Sequence, residues 1–332
     1  MSQVITIGGI VYDIFIKTSS VKILKRGKEA PFLCFNLGTK IVAKDVFFST
    51  GGGGGNTACA LKKLSIDCVP LGVISNDNMG KTVIKEFDRK KIDTSLIQIT
   101  KKAGLKTALS IILSDPLGER TVFTYRGVSD FLCKAYLKKG ALQKAQWIFI
   151  SHLSGRSNRV IKDLLQFKKD HPRIKIAWNP GATELKENWK EGSLMSRFVK
   201  VTDCFIVNRE EAVEILGKKF EKRNFQSLTQ ALSFLGSKIT VITDGKKGAF
   251  ARFENKFFKT PSYPVKEVST LGAGDAFSAA FLASIIINGE DIKKALHWGV
   301  LNGAGVVREF GAQNGLLTRN EIIEKERKWV KS

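Results

Sequence analysis

The segment Ser269-Thr270-Leu271-Gly272-Ala273-Gly274-Asp275-Ala276-Phe277 sets a carboxylate directly after three small residues. Downstream, Phe277, Phe281 and Ile285 recur at helical spacing with Ala280 and Ser284 between them, which predicts a helix starting near Gly274. Small residues at a helix start let a phosphate approach the backbone N–H groups, and the helix dipole adds partial positive charge there. A carboxylate in that first turn would repel the anion, so Asp275 is not explained as a phosphate binder. A base that takes the proton from an incoming hydroxyl explains it. Taken alone, the segment is equally well read as a tight glycine turn with Asp275 as an ordinary first-turn helix stabiliser.

A second segment, Gly51 to Gly55 followed by Asn56, leads into a helical pattern carrying Ala58, Cys59, Leu61 and Leu64. Consecutive glycines permit positive φ and close backbone approach to a ligand, at an entropic cost on ordering. Asn56 can cap that helix or hydrogen-bond a sugar hydroxyl. A flexible linker is also glycine-rich, but linkers seldom run straight into an amphipathic helix. The run lacks the lysine and Ser/Thr of a Walker P-loop, which excludes that nucleotide motif.

The elements that must hold these residues alternate. Trp147 to Ser151, Ile174 to Trp178, Cys204 to Asn208 and Ile239 to Thr243 read as short buried strands, with helical stretches such as Arg159 to Lys169 and Glu210 to Leu216 between them. This βαβα order implies an α/β fold, a mostly parallel sheet with helices on both faces and ligands at the carboxyl ends of its strands. Two stretches break the alternation. Residues 14–48 hold β-type runs at Ile14 to Lys17, Phe32 to Phe35 and Asp45 to Phe48. Residues 107–126 read as a hairpin, Ala108 to Leu113 and Thr121 to Tyr125, turning at Asp115-Pro116-Leu117-Gly118. Together they are expected to form a small antiparallel lid over a pocket, with Ile14, Ile16, Phe32 and Cys34 as its alternating positions; extra edge strands of the main sheet are the plainer alternative. The face or edge of such a sheet invites pairing with a second copy, so a homodimer through the lid is expected.

Composition bounds the function. The 332 residues carry 54 Lys and Arg against 31 Asp and Glu, a formal charge of +23. The basic residues are scattered, with no run of five and no aromatic-basic motif, so they read as attraction for phosphorylated ligands rather than a nucleic-acid surface. Five cysteines (Cys34, Cys59, Cys68, Cys133, Cys204) without CxxC pairing argue against a disulfide framework or zinc site and for a reducing, cytoplasmic setting. The longest apolar run, Phe281 to Ile287, is seven residues and cannot span a bilayer, and no signal-peptide pattern opens the chain.

With both segments in view, the sequence resembles the PfkB carbohydrate kinases of the ribokinase-like superfamily, from about Ile5 to Leu317. The glycine run fits that family's GGxGxN signature and Gly272-Ala273-Gly274-Asp275 its GAGD signature. Asp13 after the first strand, Gly72 to Gly80, Asn208-Arg209-Glu210-Glu211 and Thr243 to Gly248 match further family segments in order. The resemblance implies a ribokinase-like three-layer fold with a small β-sheet lid, over a single kinase domain spanning residues 1–332. It implies transfer of a phosphoryl group from ATP to a hydroxyl of a sugar or sugar-like molecule. Asp275 would be the base, with Gly272, Ala273 and Gly274 supplying the anion hole. Asp13, Gly52, Gly53 and Asn56 would bind the acceptor; Arg126 would reach the acceptor or the transferred phosphate. Asn208, Thr243, Gly245 and Gly248 would line the nucleotide, and Glu211 would hold Mg2+ through water. Without the resemblance, Asp13 reads as a solvated end-of-strand carboxylate, Glu211 as a helix first-turn residue and Arg126 as a surface arginine.

Three positions depart from the family. Ser269 stands where many members carry an aspartate that helps bind a monovalent cation, so potassium activation is in question. Val11 replaces the ribose-contacting asparagine of ribokinase itself. Asn302, on the last helical stretch, falls near where members contact adenine. Two rivals remain: an adenosine-like nucleoside kinase, and a non-catalytic ligand-binding protein on the same fold.

Overall fold

Six short strands whose sequences are almost wholly apolar lie parallel, in the order Ile239–Thr243, Cys204–Asn208, Lys175–Trp178, Trp147–Ile150, Val4–Ile7, Cys68–Leu71. Two antiparallel strands, Ala249–Phe253 and Lys256–Thr260, extend the Ile239 edge to complete eight. This computed structural model describes residues 4–18, 22–24, 32–101, 104–114 and 120–331.

The strands are apolar throughout because both faces are covered. Val4, Trp147, Phe149, Cys204 and Val241 pack one way, against the helices Gly53–Lys63, Ala273–Asn288 and Ile292–Val307. Ile5, Ile148, Trp178, Phe205 and Ile242 pack the other way, against Val160–Asp170, Leu194–Lys200 and Phe225–Ser233. The result is three layers, helix–sheet–helix, as the alternation of elements requires. The helix after the glycine run begins inside it, at Gly53, with Gly52 in the cap position at φ 79°. Asn56 therefore lies within the first turn and does not cap it.

A second sheet of four strands runs Arg120–Tyr125, Ala108–Ser114, Val11–Lys17, Asp45–Gly51. It differs from the sequence expectation in several ways. The sheet is mixed, because Val11–Lys17 and Ala108–Ser114 pair in parallel: a chain that leaves the first strand, builds several elements and returns can enter in either sense, unlike a hairpin. The strand expected from Ile14 begins at Val11, so Asp13, which follows the chain's first strand Val4–Ile7, sits inside it, opposite Ser49 and Ser110. Among the described residues the strand Phe32–Cys34 stands apart and pairs only with Lys22–Leu24. Burial alternates along Val11–Lys17. Asp13 and Phe15 are buried, whereas Ile14 and Ile16 are half-exposed on the other face. The expected turn at 115–118 lies outside the described residues.

All five cysteines are free thiols, three of them buried. Among the described residues no helix is long and apolar enough to cross a membrane.

Candidate active site

One face of the four-stranded sheet forms a wall of a cavity of about 440 Å³. Strand register dictates the wall. Asp13 lies beside Ser110, which lies beside Thr124; one row on, Ile112 lies beside Val122. All five line the cavity, and so does Arg126, exposed just beyond the last strand. Asp13 is 5 % exposed. Burial pushes its carboxyl up to about 7, with the charge of Asp275 adding to the rise and a hydrogen bond to Ser110 opposing it. An end-of-strand solvated carboxylate it is not.

Gly52, Gly53 and Asn56 also line the cavity. Gly53 has no room for a side chain, since a Cβ there would fall 1.7 Å from Ser151 Oγ. His152, next to Ser151 at the carboxyl end of Trp147–Ile150, also faces the cavity. Its Nδ1 lies 3.3 Å from Ser151 Oγ.

Asp275 sits at the base of the same cavity, in the first turn of Ala273–Asn288. Burial raises its carboxyl above the ordinary range, against which His152 and a hydrogen bond from Asn56 act. That bond is direct: Asn56 Nδ2 donates to Asp275 Oδ2 at 2.9 Å. Gly272 precedes the helix in the left-handed region, φ 78°. A Cβ there would also stand 2.5 Å from that of Ala312, so only glycine fits. The first helical hydrogen bond is Ala276 N–H to Gly272 O, which leaves the amides of Gly274 and Asp275 at the open helix end. Ala273 N–H makes a long contact of 3.4 Å with Thr270 O.

A larger cavity of about 550 Å³ lies on the other side of this turn. Asn208, Thr243, Gly245 and Gly248 line it, together with the apolar or aromatic Tyr263, Val265, Phe277 and Val300. Thr270, Ala273 and Gly274 face this second cavity, while Leu271, Gly272 and Asp275 face the first. Asn208 and Glu211 divide in the same way. Those two residues form a reciprocal cap: Asn208 Oδ1 accepts from Glu211 N–H at 2.8 Å, and Glu211 Oε2 from Asn208 N–H at 2.8 Å. The structure thus gives Glu211 its helix-capping role outright. Burial, with Glu210 and Glu214 nearby, pushes its carboxyl up to about 7.

The sequence reading missed His152, Ser110, and the apolar and aromatic residues of the larger cavity. A polar residue just beyond a buried strand was the available signal for His152. Nothing local marks the others, which register or distant loops bring in. Asn302 does not face either cavity; fully buried, it ties Ala276 O to Leu317 N–H and so clamps two helices and the final loop. Ser269 is buried and its Oγ accepts weakly from Leu271 N–H at 3.4 Å.

Comparison with known proteins gives the family and the fold. The family described as pfkB family carbohydrate kinase matches residues 24–319. A ribokinase of Bacillus subtilis is 26 % identical over 82 % of this chain and 86 % of its own length. A 5-dehydro-2-deoxygluconokinase of Clostridium botulinum is 28 % identical over 84 % of each. The solved structure of Arabidopsis thaliana ribokinase with ribose and ATP superposes with a TM-score of 0.77 at 17 % identity, covering 98 % of this chain and 99 % of that one, a likeness of fold.

Proposed function

This chain belongs to the pfkB family of carbohydrate kinases, and from that premise we propose how its own residues carry out the transfer. It is an ATP-dependent small-molecule kinase acting on a hydroxyl of a sugar or sugar-like acceptor. The observation that carries the residue assignment is the division of residues 270–275 between two cavities. A phosphoryl group leaving a nucleotide in the larger cavity meets an acceptor hydroxyl in the smaller one only across this turn.

In this reading Asp13, with Ser110 beside it, accepts hydrogen bonds from acceptor hydroxyls and orients the reacting one toward Asp275. Asp275 takes its proton. The N–H groups of Gly272 to Asp275 face the charge developing on the transferred group, a preorganised electrostatic contribution; those of Gly274 and Asp275 are best placed. Arg126 closes on the acceptor or the transferred phosphate from the sheet. Thr243, Gly245, Gly248 and Asn208 hold the nucleotide, with its base among Tyr263, Val265, Phe277 and Val300.

Mg2+ is proposed as cofactor. Among the described residues no three His, Cys, Asp or Glu converge as a metal site, which fits an ion held chiefly by phosphate oxygens and water. Glu211, with one carboxylate oxygen engaged in its cap, and Asn208 beside it would steady that hydrated ion, which neutralises phosphate charge when bound. We also propose that the small sheet is a lid that excludes water during transfer, and that the kinase domain spans the chain with this lid inserted. Its outer face carries Ile14, Phe48, Ile111 and Phe123 in one cross-strand row, with Phe48 59 % and Phe123 57 % exposed. A second copy of the chain is the proposed cover, since self-association by closed symmetry buries such a face on both partners. The free thiols suit a cytoplasmic setting.

A coupled ADP-release assay across pentoses, hexoses, keto-sugar acids and nucleosides tests the acceptor class. Turnover with one sugar-type acceptor supports the reading. Preference for a nucleoside replaces the acceptor, and acceptor-independent silence across the panel removes the assignment.

A further inference from the structure

We propose that Gln313 and Lys90 are positioning residues that fix which end of the Asn56 side chain meets Asp275; this rests on Asp275 being the base. Four side chains far apart in sequence form one line. Lys90 Nζ donates to Gln313 Oε1 at 2.5 Å. Gln313 Nε2 donates to Thr50 O at 2.6 Å and to Asn56 Oδ1 at 2.9 Å. Asn56 Nδ2 then donates to Asp275 Oδ2 at 2.9 Å.

The oxygen and nitrogen of an amide are distinguished by their partners, and here both partners of Gln313 decide. An ammonium only donates and a backbone carbonyl only accepts. Gln313 must therefore turn its oxygen to Lys90 and its nitrogen to Thr50. Its second N–H needs an acceptor, which holds Asn56 Oδ1 inward and leaves the Asn56 NH2 facing the carboxylate. Gln313 and Asn56 are 9 % and 7 % exposed, so water does not readily replace a lost partner. With the Asn56 amide reversed, oxygen would face oxygen, and Asp275 would keep its proton instead of accepting one.

The supports come from two directions. Lys90 caps the end of helix Asn78–Arg89. Gln313 stands in the loop after Gly311, whose Ala312 packs against Gly272. One loop thus braces both the anion turn and the side chain that addresses the base. The other titratable or charged side chains around Asp275 are His152, Asp13, Arg126 and Glu211, all lining the same cavity. On the Lys90 side, Cys59 Sγ lies 3.9 Å from Nζ, and Glu86, one helical turn earlier, bears on the same cysteine. None of these residues is itself replaced in the variants below, although Lys90→Met removes the ammonium beside Cys59.

The test uses full-length Gln313→Met, Lys90→Met and Lys90→Arg. Two quantities are read: the acid limb of kcat against pH, and the carbon-13 titration of the Asp275 carboxyl, assigned by its loss in Asp275→Asn. Gln313→Met should move both midpoints up by about one pH unit, which lowers kcat about tenfold below the midpoint. KM for ATP should stay within about twofold, as for loss of a transition-state interaction alone. Lys90→Met should move the midpoints in the same direction, and Lys90→Arg, which keeps the donor, should restore them. Unmoved midpoints in both methionine variants, with or without a fall in Tm, overturn the proposal. Should Gln313→Met fail to fold, the Lys90 pair decides alone. Should the wild type turn over no acceptor, the kinase mechanism fails, yet the carboxyl titration still reports whether Gln313 governs Asp275.

Discussion

Arg120 Nη1 donates to Thr270 Oγ1 at 2.7 Å, tying the outermost strand of the small sheet to the residue that opens the turn before Asp275. Thr270 faces the nucleotide cavity, whereas the sheet itself walls the acceptor cavity. A single side chain thereby couples the wall over one substrate to the rim of the other.

Replacing Arg120 by Met removes this tie without opening a large gap. Acceptor phosphorylation should fall about tenfold, the scale of one charge-assisted hydrogen bond. ATP hydrolysis without transfer should rise as a fraction of ADP released, because water enters a looser site. Simultaneous measurement of ADP and phosphorylated product gives that fraction. An unchanged ratio would show that the contact has no part in closure.

Asp275→Asn keeps shape but cannot accept the proton. Turnover should drop about two to four orders of magnitude, the range of a general base, while ATP binding by calorimetry survives. A drop of less than about tenfold would remove Asp275 from that role.

The layers were legible in the sequence because parallel strands buried on both faces must be short apolar runs, and four of the six were read from that signal alone. The GAGD turn and glycine run were legible because a backbone that must approach an anion closely tolerates little else. What escaped depends on pairing across the chain. Asp13 and Ser110 meet only through a parallel register between strands about 100 residues apart, and no local pattern states that register. Within Val11–Lys17 the alternation was legible, but not which face meets the pocket: Asp13 is buried and lines the cavity, Phe15 is buried, and Ile14 and Ile16 are half-exposed. Gln313 looked like an ordinary loop amide until folding set it between Lys90 and Asn56.

The Asp13 carboxyl, pushed up to about 7 from 3.8, implies a trade between stability and function. The folded state binds this proton more tightly than the unfolded chain, so the group favours folding fully below the unfolded value. That contribution is lost as pH rises through about 7. Asp13→Asn cannot charge, so its Tm at pH 8 should exceed that of the wild type by about 2 °C or more, with the difference vanishing near pH 4. Its KM for acceptor should rise about 10- to 100-fold, the scale of hydrogen bonds to a charged group. A Tm advantage equal at both pH values would contradict the buried-charge account.

Ser269 brings a hydroxyl, engaged with Leu271 N–H, to a position where a carboxylate would attract a monovalent cation. Exchanging potassium for sodium or tetramethylammonium at constant ionic strength should change kcat by less than about twofold, since a neutral oxygen binds such ions weakly. A many-fold dependence on potassium would mean that backbone carbonyls rebuild the site without the carboxylate.

Closure of the small sheet is the last expectation, and strand order makes it specific. The strands Val11–Lys17 and Ala108–Ser114 are central neighbours, so displacement of one carries the other through seven paired residues. Asp13 and Ser110, facing the cavity from those two strands, would both bond an acceptor and so hold the pair down together. Hydrogen exchange should therefore slow in 11–17, 45–51, 108–114 and 120–125 when acceptor binds, all by a similar factor. Strand Ile239–Thr243, interior to the large sheet, should change little. ATP alone should protect 120–125 more than 45–51, because only the former reaches Thr270 through Arg120. Protection confined to one strand under acceptor would show local contact instead of closure, since a hydrogen-bonded sheet that moves as a unit cannot shield one member alone.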